Sequence, residues 1–451
     1  MNKFRAFWGK LRGSFWLVPT LILAVSIEMA VVLIEADSMG MKPLMARWPW
    51  LFGAGAVGAR GMLSTIAGSM MTVVGVTFSM TLMTLALASS QYTSRILRNF
   101  MSDRVTQFVL GTFAGVFTYC LIVLRTIRGG DEGSFIPGLA VSFAVVLAIG
   151  AIGVLIFFIH HIASAIQASN IIASVGVETL EAVDRLFPER LGDGADDLAD
   201  EDLAEPPLPE RAWRAVPAPK DGYIQGVDNE ALVRLACQQD TIVRMERGIG
   251  EFVVKGTMLA FLALEDEAEQ EAVATLQSAY TIDRRRTVEQ DAGFGIRQIV
   301  DIALRALSPG INDTTTAVMC VDHLSAILTR LASRPIPSPR RYEEGTLRVI
   351  TVGPNFASLT ADSFDEIRGS AKGNLSVLLR MLGALQIIGS VATRTGRRRT
   401  LREQVELITE VAGRTLESPY DRAKYERTRA TVREALETPP VYAGPKRAPR
   451  G

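Results

Sequence analysis

Arg297, Asp301 and Arg305 stand four residues apart in the stretch GFGIRQIVDIALRALSPGIND, residues 293–313. On a helix these positions form one row, with Ile296, Ile299, Val300, Ala303 and Leu307 on the other side. Such a row is either an ion-paired face, contributing about 0.2–0.5 kcal/mol per pair, or a place prepared for an anion. Pro309 and Gly310 end the helix, and Asn312 or Asp313 is positioned to cap the next one, TTTAVMCVDHLSAIL. The start of that second helix offers backbone N–H groups and threonine hydroxyls near two arginines, which suits an anionic ligand or a carboxylate on a partner protein. Arg297, Asp301, Arg305, Ser308, Asn312 and Asp313 are therefore candidates for ligand, partner or coupling contacts, with local structural bracing as the alternative reading.

Catalytic chemistry finds little support. The chain has no GxSxG, HExxH, P-loop or complete GxGxxG motif, and its histidines are His160, His161 and His323 alone. Cys320 and His323 lie one helical turn apart, where a buried helix face accounts for both. No catalytic residue, metal ligand or cofactor is expected, and the chain is not expected to be an enzyme. A net charge of zero gives no sign of a nucleic-acid partner. Two basic clusters, Arg284–Arg286 and Arg394 to Arg402, read as solvated turns or as contacts to membrane lipid headgroups.

The elements that must position these residues begin with a membrane domain. Hydrophobic residues make up 48% of the chain and are bunched in its first third. Four stretches, Phe15 to Glu35, Met62 to Ser89, Phe108 to Leu124 and Phe135 to Ile159, approach or exceed the roughly 20 residues needed to cross a hydrocarbon core. The first is too long and lacks the cleavage site of a signal peptide. Lys3, Arg5, Lys10, Arg12, Arg95, Arg98 and Arg104 outnumber the basic residues of the other two loops, which places both termini in the cytoplasm. Three widely spaced cysteines, Cys120, Cys237 and Cys320, fit a reducing compartment for the soluble part.

Two spans are unusual. From Gly61 to Ser94 and from Gly133 to Val177 no charged residue occurs, lengths that as straight helices reach roughly 50 and roughly 68 Å. The fourth span is therefore expected to continue as an uncharged helical stalk packed on the second helix of its own chain or on a neighbouring subunit. In the second span Thr65, Ser69, Thr72 and Ser79 share one helix face, with Thr77, Thr81 and Thr84 on a second stripe. Hydroxyl faces allow close helix packing and can equally line a water-filled path. Glu28 is the carboxylate well inside a span, and either serves a site facing protein or water or is protonated and bonded to a hydroxyl of the second span.

The remaining organisation follows from composition. The expected domains are a four-helix transmembrane domain (1–165), a helical stalk (166–190), an acidic, proline-rich connector (191–220), a small β-module (221–265), a mainly helical cytoplasmic domain (266–437) and a disordered tail (438–451). The fold class is thus a multi-pass α-helical membrane domain followed by a mixed α+β, mostly helical soluble domain. The rhythm GEFVVKGTMLAFL is similar to the half-barrel of lipoyl and biotinyl carriers, in which the modified lysine needs an exposed hairpin tip. Lys255 precedes a turn glycine, and a structural module accounts for the segment without covalent carriage.

The segment DAGFGIRQIVDIALRALSPGINDTTTAV, with four amino-terminal spans and GEFVVKGTMLA, resembles the bacterial predicted membrane protein family known as domain of unknown function 2254. The resemblance extends to about residue 435. The family pattern has proline after Asn312-Asp313 where this chain has Thr314, which implies a looser turn. The resemblance implies a bacterial inner-membrane protein and leaves its activity open.

Two functions are consistent with these readings. One is a homo-oligomeric, channel-like pathway for ions or small solutes, with Thr65, Ser69, Thr72 and Ser79 along the path and the soluble domain as its gate. The other is a membrane-anchored scaffold or sensor whose soluble domain binds a protein partner.

Overall fold

The computed structural model describes residues 16–39, 55–91, 103–128, 135–165, 167–187, 212–264, 269–288, 290–336 and 338–438. The tail, most of the acidic connector, the amino-terminal basic arm and the loop holding Arg95 and Arg98 lie outside the described residues. The chain divides into two units, residues 1–167 and 168–451.

The first unit contains four helices long and apolar enough to cross a membrane: α1 (Leu17–Ser38), α2 (Ala56–Gln91), α3 (Arg104–Thr126) and α4 (Gly138–Ala165). They correspond to the four stretches expected from hydropathy. Among them α3 has the clearest inner face: Val109, Phe113, Val116, Tyr119, Cys120 and Val123 are buried at helical spacing. The other three helices all pack on α3.

The contact between α1 and α3 depends on two glycines. A side-chain carbon at Gly111 would lie 2.8 Å from Ile22 Cδ1 and 2.9 Å from Pro19 Cα, and one at Gly115 would collide with Ser26 Oγ. Gly111 and Gly115 form a small-xxx-small pair that lets two helix backbones approach closely. The helix ends are satisfied by neighbours. Asp37 of α1 accepts from the N–H groups of Leu139 and Ala140, both at 3.2 Å, capping α4. Arg60 of α2 donates to Ile127 O at the end of α3, at 2.7 Å. At the opposite end Asp103 caps α3 and meets His161 Nε2 of α4 at 2.8 Å. These pairs fix an alternating up and down order of the four helices.

The stalk expected over 166–190 is interrupted after Ala165. Ala168–Leu186 forms a separate helix, α5, which packs on two helices of its own unit, α8 (Ala292–Ala306) and α9 (Thr314–Ala332). Its uncharged face is covered by these, and neither the second span nor a second subunit is needed. Gly176 touches the His323 ring, where an added carbon would sit 2.6 Å from Nδ1.

The β-module expected over 221–265 is part of a larger region. A five-stranded sheet has the order β1 (Trp213–Pro217), β5 (Met258–Ala263), β3 (Val243–Met245), β8 (Thr346–Ile350), β7 (Arg340–Glu343), and a three-stranded sheet has the order β4 (Phe252–Val253), β2 (Gly222–Val227), β6 (Tyr280–Asp283). All pairs are antiparallel except β3 with β8. Both sheets borrow strands from outside 221–265, and no closed barrel forms among the described strands. Val216, Ile224, Val243, Leu262 and Val349 share one core with α6 (Asn229–Gln238) and α7 (Gln270–Ala279).

Four helices complete the unit: α10 (Phe356–Ser370), α11 (Leu375–Gly389), α12 (Thr395–Thr415) and α13 (Pro419–Glu437). The helices α5, α8, α10 and α11 pack on α9, whose Cys320, Leu324, Ile327, Leu328 and Leu331 are fully buried, while α12 packs on α10 and α11 and α13 on α11 and α12.

Gly115→Leu is expected to separate α1 from α3 and to leave the detergent-purified protein aggregated or with a lowered melting temperature. Gly150→Leu, at a glycine of α4 with nothing within 4 Å in its own chain, is expected to leave the melting temperature unchanged.

Candidate functional site

The two stripes of the second span take opposite directions. Thr77 and Thr84 are buried against the chain's own bundle, at 0% and 5% exposure. Thr65, Ser69, Thr72 and Ser79 all face away from it. Thr65, Thr72 and Ser79 belong to a longer outward seam, with Ser69 beside it: Gly58, Gly61, Thr65, Gly68, Thr72, Gly75 and Ser79 follow one another at alternating spacings of three and four, and all are exposed. None of the four glycines has a neighbour within 4 Å. The spacing is that of the a and d positions of a heptad, the pattern by which two helices mesh along a seam. Thr65 and Thr72 donate to Gly61 O at 2.8 Å and Gly68 O at 3.0 Å, so these hydroxyls are already satisfied by their own helix.

Glu28 is also exposed on α1 and makes no hydrogen bond or ion pair with the described residues. The expected bond from a protonated Glu28 to a hydroxyl of the second span is therefore not formed. A carboxyl group inside a span and directed away from its own bundle calls for protein or water on that side.

In the second unit the row on α8 is bound up within its own domain. Arg297 Nε donates to Asp301 Oδ1 at 2.7 Å, and its other nitrogens reach Glu366 of α10. Asp301 is half-buried and Arg305 exposed. Ser308 Oγ donates to Arg305 O at 2.7 Å, and Asp313 N to Ala306 O at 2.7 Å, closing the turn; Asn312 takes the left-handed conformation at φ 50°. Asp313 then caps α9, accepting from Thr316 N at 3.0 Å and Thr316 Oγ1 at 2.5 Å. The helix start read as an anion site thus already holds a carboxylate of the chain. These bonds favour the ionised form and hold Asp313 below the usual carboxylate range.

The basic clusters are partly interior. Arg286 pairs with buried Asp291 at 2.7 Å and lies over the Phe294 ring. Arg397 and Arg398, read from the sequence as solvated or lipid-facing, are only 2% and 8% exposed. Arg397 donates to the carbonyls of Ala332 at 2.8 Å and Arg334 at 2.9 Å, where α9 ends. Arg398 donates to Gly389 O at 3.2 Å at the end of α11 and, with Thr438 O at 2.6 Å, to Leu436 O at the end of α13. Arg334 does the same for α5, donating to Phe187 O at 2.6 Å, while it and Arg330 pair with Asp184. Helix carboxyl ends carry unsatisfied carbonyls and a partial negative charge, which a guanidinium fork meets on both counts.

Lys255 stands in the exposed turn between β4 and β5, its N–H bonded to Asp221 Oδ1 at 2.6 Å. Cys320 and His323 do not form a reactive pair: burial pushes the Cys320 thiol far up, and His323 faces Gly176. Sequence reasoning missed the capping roles of Arg334, Arg397 and Arg398 and the partner Glu366, which carry no local signature. It also missed the seam and Gly111–Gly115, whose glycine spacings were open to inspection.

A family model described as predicted membrane protein, DUF2254, matches residues 12–386. Uncharacterized proteins of Mycobacterium bovis and of Mycobacterium tuberculosis are each 32% identical to this chain over 455 residues, covering 99% of it and 85% of the relative. No solved structure matches the chain.

Two outcomes follow from the caps. Arg398→Met strands several buried carbonyls and is expected to lower stability by on the order of 3 kcal/mol, read as a drop in melting temperature, with Arg398→Lys intermediate. A depressed carboxylate stabilises above its unfolded pKa of about 4 and that contribution is lost as pH falls through the folded value. Amide exchange at Thr315–Ala317 is therefore expected to accelerate below about pH 4, and Asp313→Asn to remove most of that pH dependence.

Proposed function

We propose, from the premise that this chain belongs to the DUF2254 family of predicted membrane proteins, that it is a homo-oligomeric inner-membrane protein forming a channel-like path for ions or small solutes between its subunits. The observation that carries this reading is the outward seam of α2. Glycine and hydroxyl residues over about six helical turns would be an unfavourable choice for lipid contact, and they are spared from packing within the chain. In an oligomer the α2 helices of adjacent copies approach along Gly61, Gly68 and Gly75, and Thr65, Ser69, Thr72 and Ser79 border the space between them. Glu28, likewise directed outward, is then supplied with protein or water by a neighbouring copy. Both termini are on the cytoplasmic side, and the second unit acts as the gate, coupled through α5, which follows α4 after residues 166 and 167.

A second reading is favoured by the bonds of Thr65 and Thr72 to their own backbone. Hydroxyls satisfied in this way suit a dry helix contact as well as a wet one, and a purely associative seam makes the protein a membrane-anchored scaffold or sensor. Its partner would then be a protein bound by the second unit.

The two readings separate experimentally. Ser69→Cys on neighbouring copies is expected to form disulfide-linked dimers under mild oxidation, while Thr77→Cys, on the inner stripe, does not. In liposomes the wild-type protein is expected to pass small ions, and Thr72→Leu with Ser69→Leu to reduce that flux at least tenfold. Cross-linking without any flux under gradient or tension would support the scaffold, and no cross-linking would remove the seam from both.

A further inference from the structure

The helical part of the second unit has two ends, and the direction of its helices tells which of them the chain enters. α5 and α9 run the same way: Gly176 meets His323, and Asp184, eight residues on, meets Arg330. Followed back along both helices, Ala168 at the start of α5 is level with the first turn of α9, which the turn at 308–313 leads into. Two further turns share this end. Asn374, which closes the turn between α10 and α11, donates from Nδ2 to Thr314 Oγ1 at 2.8 Å. A side-chain carbon at Gly373 would lie 3.6 Å from Thr415 O, where α12 gives way to α13. Arg334, Arg397 and Arg398 cap the opposite end, where α5, α9, α11 and α13 finish.

We propose that the end formed by these three turns rests on the headgroup layer of the membrane, with Ile311 and Tyr420 as its interfacial contacts. α4 has 28 residues, about 42 Å of helix, which matches the about 40–45 Å of a bilayer with its headgroups. Ala165 at its end therefore emerges at headgroup level, and α5 begins after residues 166 and 167. A tether of about 10 Å at full extension holds the start of α5, and the turns level with it, near the lipid surface. The side chains exposed there suit that place. Ile311 is 49% exposed in its turn and Tyr420 71% at the start of α13. An aliphatic tip and an amphipathic ring are favoured at the interface over water. Asn170, Ser174 and Val177, the exposed positions in the first half of α5, carry no charge. Among the exposed charges in and next to the three turns, Arg305, Lys372, Arg414 and Arg422 outnumber Glu417, which complements an anionic lipid surface.

Spin labelling of the full chain in liposomes of phosphatidylcholine and phosphatidylglycerol tests this contact. Cys120 and Cys320 are buried, so a Cys237→Ser background leaves one reactive thiol in each of Ile311→Cys, Tyr420→Cys and Ser390→Cys, the last at an exposed position of the opposite end. Each label is read by its accessibility to oxygen, which concentrates in lipid, and to a water-soluble nickel chelate. The ratio of oxygen to nickel accessibility at 311 and 420 is expected to exceed that at 390 at least threefold, and the label at 420 serves if Ile311→Cys does not fold. Equal ratios at the two ends overturn the proposal. Shielding of 311 and 420 from both reagents overturns it as well, because protein rather than lipid would then cover this end.

Discussion

A helix that ends inside a protein leaves carbonyl groups that need donors, and meeting that need organises the second unit. Arg334, Arg397 and Arg398 bring the donors. The three act in series: Arg334 closes α5, Arg397 closes α9 and bonds the carbonyl of Arg334 itself, and Arg398 closes α11 and α13. Enclosing a charged group is unfavourable unless its donors are met, and several carbonyls at converging helix ends meet them. The result is a junction where α5, α9, α11, α12 and α13 hold one another in place. Because α5 is the helix that follows the last apolar helix after residues 166 and 167, the same junction fixes the point by which this unit is tethered.

The first unit solves a different problem. Between apolar helices surrounded by lipid there is no hydrophobic gain from association, so close packing and polar contacts at the ends must hold the bundle. Gly111 and Gly115 provide the close approach of α1 to α3, and Asp37, Arg60, Asp103 and His161 tie the ends. Within α2 the two kinds of polar stripe divide the work. Thr77 and Thr84 face inward, while the seam from Gly58 to Ser79 faces outward at alternating spacings of three and four.

Reading the residues in order gave an uneven account of the second unit. The row of Arg297, Asp301 and Arg305 was visible, and so was the cap by Asp313, because helix faces and caps are set by residues within a turn or two of each other. The partner of the row was not: Glu366 comes from α10, and only packing brings it to Arg297. The same limit separates Arg397 and Arg398 from their neighbours in the basic cluster. Nothing in RTGRRRTLR shows which arginines turn inward, since that is decided by where three distant helices end.

Hydropathy and length by themselves determined the four apolar helices, their order and the mixed helical and sheet region after them, because the transfer of a long apolar stretch out of water depends on composition alone. The sequence also determined which α2 residues share a face, since helical periodicity is local. Only the tertiary structure decided which of those faces is spent inside the chain, where the supposed stalk packs, that the β-module takes strands from residues 213–217, 280–283 and 340–350, and that Arg244 packs on the rings of Trp213 and Phe261. Each of these depends on contacts between residues far apart in the chain, and such contacts leave no mark in the spacing of neighbours.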